Sequence, residues 1–441
     1  MSDRLPSELW RLIFREATCV PNLLSTEWDY DPDEHIWDDW GSPSPPHYVD
    51  MSATTITTKR AIAGVCKSWR DVGVEFLYES IEIPEDPTGP NARIGTLASI
   101  FERSTSDGQL RVGHMSSSAS LGYGWWTKRI ACANDFPSSD EEAKDLFSLL
   151  GLCHNLQIFS MIKMRGRGQP CPRSYLVGLS SLLESRFAHS LRRVEYYTRP
   201  PRFRDDTSTA STIPRVPGLT CLGIVVREGT AVFDIPECHL ESFRSVTTLT
   251  IRLPSDILNL PSHWTFSSLL SLAIRNVATG DIPALVPFVK RHRDTLIHLY
   301  ISTIGETGND LMLTLLSETP NVRSMALDDS GFLHWMKAMV GRASSSDDPA
   351  FSFLTHIGVT PLADEQASED WAEEGEQSAP SRTRRGVELM LEAGLFPKLK
   401  VMLVRNMGSI VEEPSWSVIA DKCKARSIQL KDQTTRMARS I

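Results

Sequence analysis

Residues 191–196 read LRRVEY, 219–224 LTCLGI, 246–251 VTTLTI, 269–274 LLSLAI and 296–301 LIHLYI. These are copies of one pattern, L-x-x-L-x-L with aliphatic substitutes, and their spacing decides the fold. The fourth and sixth positions lie two residues apart, so they share one face of a strand. The first position comes three residues earlier, where an apolar side chain seals the turn into that strand. Outward from this stretch, further copies begin at Leu156 (LQIFSM), Val322 (VRSMAL), Leu354 (LTHIGV) and Leu399 (LKVMLV). Weaker copies begin at Tyr78 (YESIEI), Thr127 (TKRIAC) and Ala425 (ARSIQL).

Between the copies, apolar residues recur at helical spacing. The stripes are Leu146, Phe147 and Leu150; Leu176, Leu179, Leu182 and Leu183; Ile282, Leu285, Val286 and Val289; Phe332, Trp335, Met336 and Met339; and Val387, Met390 and Leu391. A short strand and a helix alternating at about 27 residues predict an α/β solenoid, with short parallel strands inside and helices outside. Each unit buries its apolar face only against its neighbours, so a chain of 441 residues grows without one enlarged core. An ordinary α/β domain is the competing reading.

This repeat resembles the leucine-rich repeat. Regular members carry Asn or Cys three residues after the sixth position. Here those places hold Met164, Arg199, Arg227, Pro254, Val277, Ile304, Ser330, Leu362 and Met407, so the array is irregular. Its expected extent is 81–441, with an acidic insert at about 363–385. The third and fifth pattern positions are expected to face solvent on the concave side. Most are small or neutral. His298, Tyr300 and His356 stand out there as a candidate substrate-binding patch, against the plain reading of exposed side chains with no role.

At the other end, residues 5–17 read LPSELWRLIFREA, with Pro6 suited to a first helical turn and Leu9, Leu12, Ile13 and Ala17 at helical spacing. Residues 58–80 read TKRAIAGVCKSWRDVGVEFLYES, where Ile62, Val65, Trp69, Val72 and Phe76 form an apolar stripe on one or two helices. Cys66 reads as a small buried hydrophobe. A self-packed helical cap accounts for all of this. LPSELWRLIF followed by VCKSWRDV and LYESI also resembles an F-box, as found in fungal proteins with a similar CVPNLLSTEW stretch. The expected module covers 1–80, interrupted by an acidic Trp/Pro insert at about 20–57 that holds Trp28, Trp37 and Trp40. The resemblance implies docking to a Skp-type adaptor of a cullin ubiquitin ligase. The residues that match are Leu5, Pro6, Glu8, Leu9, Ile13 and Phe14, then Val65, Cys66, Trp69 and Arg70. All but Glu8 are the candidate adaptor-binding set.

Charge supports this division. Residues 20–57 hold eight acids and 363–377 seven, with no Lys or Arg in either window. They carry −15 against −9 for the whole chain, so the rest is +6. A near-neutral body with two acidic inserts does not suit a nucleic-acid binder held by a basic surface. The clusters Arg165/Arg167 and Arg199/Arg202/Arg204 read as solvated loops, since no stacking aromatics interleave the first and Asp205 and Asp206 offset the second. Eight cysteines without a C-x-x-C, no secretory run in MSDRLPSELW and no long apolar span point to a cytoplasmic or nuclear location without membrane contact.

No phosphate loop, G-x-S-x-G elbow, H-E-x-x-H or RING-type cysteine spacing occurs. The expectation is therefore a non-enzyme without metal or cofactor. It would be the substrate receptor of an SCF-type ligase, holding the Skp-type adaptor by the F-box and an unknown protein target by the repeats. The alternative is a repeat scaffold with no ligase role, and behind it a hydrolase whose triad assembles from distant residues.

Overall fold

Among the described residues twelve strands form one sheet in chain order, and every neighbouring pair is parallel. The computed structural model describes residues 5–20, 23–24, 46–83, 92–111, 122–132, 140–161, 173–198, 214–226, 243–252, 264–278, 282–304, 314–343, 353–360, 379–404 and 414–432. The strands are β1 (Ser80–Ile83), β2 (Arg129–Cys132), β3 (Ile158–Met161), β4 (Arg193–Thr198), β5 (Cys221–Val226) and β6 (Thr248–Arg252). They continue as β7 (Ser271–Ala278), β8 (His298–Ile304), β9 (Ser324–Asp328), β10 (His356–Thr360), β11 (Val401–Val404) and β12 (Gln429–Asp432). The solenoid-like α/β architecture expected from the spacing is present.

Each strand from β1 to β11 begins at the third position of its pattern copy. β12 does not: Leu430 pairs with Met402, so the last copy begins at Ser427 rather than Ala425. A shift of two leaves every side chain on its face, so alternation alone does not fix that register. The chain uses Arg426 and Ser427 to turn out of the preceding helix, with Ser427 at φ 60°.

The pattern supplies the core. The first-position residues Leu156, Leu191, Leu219, Val246, Leu269 and Leu296 are all 0% exposed, as are the fourth-position residues Phe159, Val194, Leu222, Leu249, Leu272 and Leu299. Each fully buried aliphatic side chain contributes roughly 1.5–3 kcal/mol. Three residues before the first position sits another buried residue: Val216, Phe243, Phe266, Thr319 and Phe396. Its carbonyl accepts the N–H of the first-position residue at 3.1–3.2 Å. This turn is a part of the repeat that the pattern did not include. From β2 to β11 successive repeats are also tied by second-position carbonyls, each accepting two N–H groups from the next repeat. Thr247 O takes those of Leu270 and Ser271, and Leu270 O those of Ile297 and His298. A carbonyl has two lone pairs for this.

Helices cover the core face. The predicted stripes fall on α5 (Asp140–Leu152), α6 (Arg173–Phe187), α7 (Ile282–Arg291), α8 (Asp329–Ala343) and α9 (Ala379–Ala393). Two further helices, α4 (Ala92–Arg111) and α10 (Pro414–Ala425), lie outside the predicted stripes. Between β4 and β7 the described residues hold only short turns before each strand.

The N-terminal segment forms α1 (Ser7–Thr18), α2 (Pro46–Val65) and α3 (Lys67–Glu79). Helix α2 begins inside the stretch read as an insert, and α9 begins inside the second one. Trp28, Trp37, Trp40, the Arg165 and Arg199 clusters and residues 363–377 lie outside the described residues. No helix of the described residues is long and apolar enough to cross a membrane.

Candidate docking surface

Helix α1 has two apolar faces. One carries Trp10 and Phe14 four residues apart and faces α3. Ring centroids of Trp10 and Trp69 are 4.6 Å apart, and those of Phe14 and Trp69 are 5.0 Å apart. Phe14, Ile62, Val72 and Phe76 form the buried centre of this helical cluster. Gly73 allows α3 to approach α2 closely, since a Cβ there would stand 3.1 Å from Ile62 Cγ2. Arg11 pairs with Glu75 at 3.3 Å across α1 and α3.

The other face is open. Leu9, Leu12 and Ile13 are 43, 61 and 45% exposed, and Leu5, just ahead of the helix, is 44% exposed. Their spacing puts them on one side of α1. Val65, at the end of α2, is 60% exposed. It leaves the apolar stripe expected of it because Cys66 breaks the helix there with extended backbone, φ −160° and ψ 171°. Cys66 is itself exposed, not the buried hydrophobe its sequence suggested; its Sγ lies 3.2 Å from Ser68 Oγ. Pro6 and Arg70 are exposed, Trp69 is half-buried and Phe14 is buried. Of the nine candidate residues, then, Phe14 and Trp69 belong to the packed interior of the helical cluster, and the rest reach the surface. Leu12, the most exposed of the open face, was read only as part of a helical stripe.

The cluster is fastened to the first repeat without a linker, since α3 ends at Glu79 and β1 begins at Ser80. Tyr78 stacks on Tyr123 at 4.9 Å and meets Phe101 edge-on at 5.2 Å. Lys128 Nζ pairs with Glu79 Oε1 at 2.7 Å. Lys59 is buried beside this junction. Desolvation lowers its pKa, and the charges of Glu79, Cys19 and Glu82 oppose that shift.

The sheet face opposite the helices differs from expectation. Its third and fifth positions do not stand open to solvent: Cys221 and Ser324 are 1% exposed, Ala326 0%, Tyr300 5% and His356 6%. Parallel strands lie about 4.8 Å apart, so each side chain is flanked by its equivalents on both neighbours. Ser324 is held between His298 and His356 in this way. Ala273, Tyr300, Ala326, Val401 and Leu403 form an apolar cluster on this face. His298 is half-buried, and desolvation, with the charge of His356, pushes its pKa down to about 3. Thr355 Oγ1 lies 2.7 Å from His356 Nδ1. Nearer the N-terminus, Arg193 Nε donates to Glu195 Oε1 at 3.0 Å, and Ser160 Oγ donates to Glu195 Oε2.

Among the described residues no group of three His, Cys, Asp or Glu side chains is arranged to hold a metal ion. No protein-family model and no curated protein matches the chain.

Proposed function

We propose that this protein is a substrate receptor of an SCF-type cullin ubiquitin ligase. The open face of α1 docks on the Skp-type adaptor, and the solenoid holds a protein target. One observation carries the reading: α1 already has a packed face in Trp10 and Phe14, yet presents Leu9, Leu12 and Ile13 to solvent. A helix stabilised only by its own module needs one apolar face, and a second one fits a partner's groove. The order of LPSELWRLIF, VCKSWRDV and LYESI along the chain names the partner by resemblance.

Catalysis in this arrangement is positional. The receptor contributes no reacting group and brings a target lysine near an enzyme bound elsewhere. The direct junction at Glu79 and Ser80, clamped by Tyr78 and Lys128, supports this, because a target held by the solenoid keeps its orientation to the adaptor.

Co-purification with the Skp-type adaptor tests the reading. The wild-type chain is expected to retain the adaptor, and a Leu9→Asp, Leu12→Asp double variant to lose it while keeping its circular dichroism. A folded double variant that binds as well as wild type sinks this use of α1 and favours a repeat scaffold without a ligase role.

A further inference from the structure

We propose that the last two repeats form a binding site for an acidic peptide segment carrying one bulky apolar side chain. A cavity of about 310 Å3 opens where the end of α9 meets the turns into β11 and β12. Its wall includes Met390, Leu391, Phe396, Leu399 and Ile428, with Arg426 beside them. That volume is at the small end of the range for ligand pockets, room for one side chain. Phe396, Leu399 and Ile428 are 6, 5 and 8% exposed, whereas Phe266 and Leu269 at the equivalent places inside the array are 1 and 0% exposed. The difference goes with position: among the described residues β12 is the last strand of the sheet.

The segments that form the cavity are basic. Arg426 Nη1 stands 3.9 Å from where a Cβ on Gly394 would be, which puts the guanidinium across the cavity from the end of α9. Lys398 and Lys400 flank Leu399 in sequence, and Lys422 and Lys424 lie on the last turn of α10. All five cations are exposed, and among the described residues none has a side-chain hydrogen bond or ion pair. The exposed acids on the same segments are Glu392 and Asp421. Cations at the end of α10 suit its negative pole, but that accounts neither for Lys398 and Lys400 nor for the apolar cavity beside Arg426. An apolar cavity with an unpaired Arg426 in its wall, on segments that carry four more unpaired cations, fits a ligand that joins negative charge to an apolar anchor.

As the target-holding part of a receptor this site rests on the function proposed above; its capacity to bind does not. A fluorescein-labelled heptapeptide, Asp-Glu-Asp-Trp-Glu-Asp-Glu, titrated against the full chain and followed by anisotropy, tests it. Saturable binding is expected, weakened about tenfold or more when the central Trp is replaced by Ala. A Lys424→Glu, Arg426→Glu variant is expected to lose it to a similar degree, with unchanged circular dichroism, since both residues are exposed. Added salt weakens the wild-type complex. No saturable binding, or binding indifferent to the central Trp or to the charge reversal, overturns the proposal. Adaptor capture by the same variant is expected to stay at the wild-type level. Loss of peptide binding with adaptor capture intact, or the converse in the Leu9→Asp, Leu12→Asp variant, tells the two sites apart.

Discussion

The backbone N–H of Phe266 donates to Nε2 of His292 across 2.9 Å, from one repeat to the next. That nitrogen therefore carries no proton, and the proton on Nδ1 points to Phe288 O at 2.8 Å. His292 is 4% exposed, and desolvation lowers its pKa. The imidazole is thus a neutral cross-brace that seals the turn before β7 against the end of α7.

Stability should fall as the pH drops below neutrality. An unfolded imidazole titrates near 6.5, while His292 and His298 have lowered pKa values when folded, that of His298 about 3. Below about pH 6.5 the unfolded chain binds more protons, so stability present above that value is lost progressively towards the folded pKa, by at most about 1.4 kcal/mol per pH unit for each imidazole. Urea unfolding between about pH 7 and pH 5 measures this. His292→Gln and His298→Ser are each expected to flatten the slope. An unchanged slope in both variants removes these imidazoles from the explanation.

The two faces of α1 should separate stability from docking. Phe14→Ala is expected to cost about 3–5 kcal/mol, because Phe14 is 2% exposed against Trp10 and Trp69. Leu12→Ser, at 61% exposure, is expected to change stability by no more than about 0.5 kcal/mol. Denaturant midpoints of the two variants decide it. A Leu12→Ser variant as destabilised as Phe14→Ala means that Leu12 is packed in solution.

Gly124 is where the backbone of the 3-10 turn Tyr123–Trp126 meets the end of α5. A Cβ there would collide with the carbonyl oxygen of Leu152, which belongs to backbone and yields little. Gly124→Ala is expected to destabilise by about 1–3 kcal/mol and to loosen the stack of Tyr78 on Tyr123. Hydrogen exchange on β1 and β2 should rise more than on β9 and β10, since repeat arrays transmit strain mainly to neighbours. A uniform rise places the damage elsewhere.

How far the sequence was readable follows from what each residue encodes. The strands were visible because Leu219 and Leu222, or Leu296 and Leu299, are buried in the same way in every repeat. Register failed only at β12, where Ile428 and Leu430 each satisfy the apolar fourth position and alternation does not distinguish them. The turn residues Phe243 and Phe266 are not part of the pattern, because the buried turn residue stands three residues before the first position in some copies and four before it at Leu191 and Leu296. Burial of His356 and Tyr300 was not readable, because their shielding comes from neighbouring strands distant in sequence. On α1 the sequence shows apolar residues on both sides, and only packing tells that Phe14 is enclosed while Leu9 and Ile13 are free.

A final prediction concerns the buried pair Arg193 and Glu195 on the sheet face opposite the helices. Their side chains are 9 and 7% exposed, and Ser160 donates a further hydrogen bond to the same carboxylate. Removing one charge leaves the other buried without its partner, which typically costs about 3–5 kcal/mol, whereas replacing both by apolar residues of similar volume is often neutral. Arg193→Met alone is therefore expected to be strongly destabilising, and Arg193→Met with Glu195→Leu to recover most of the loss, less the hydrogen bond abandoned by Ser160. A double-mutant cycle by denaturant unfolding measures the coupling. If the double variant is as unstable as the sum of the single variants, the two charges act independently and are not a coupled pair on β4.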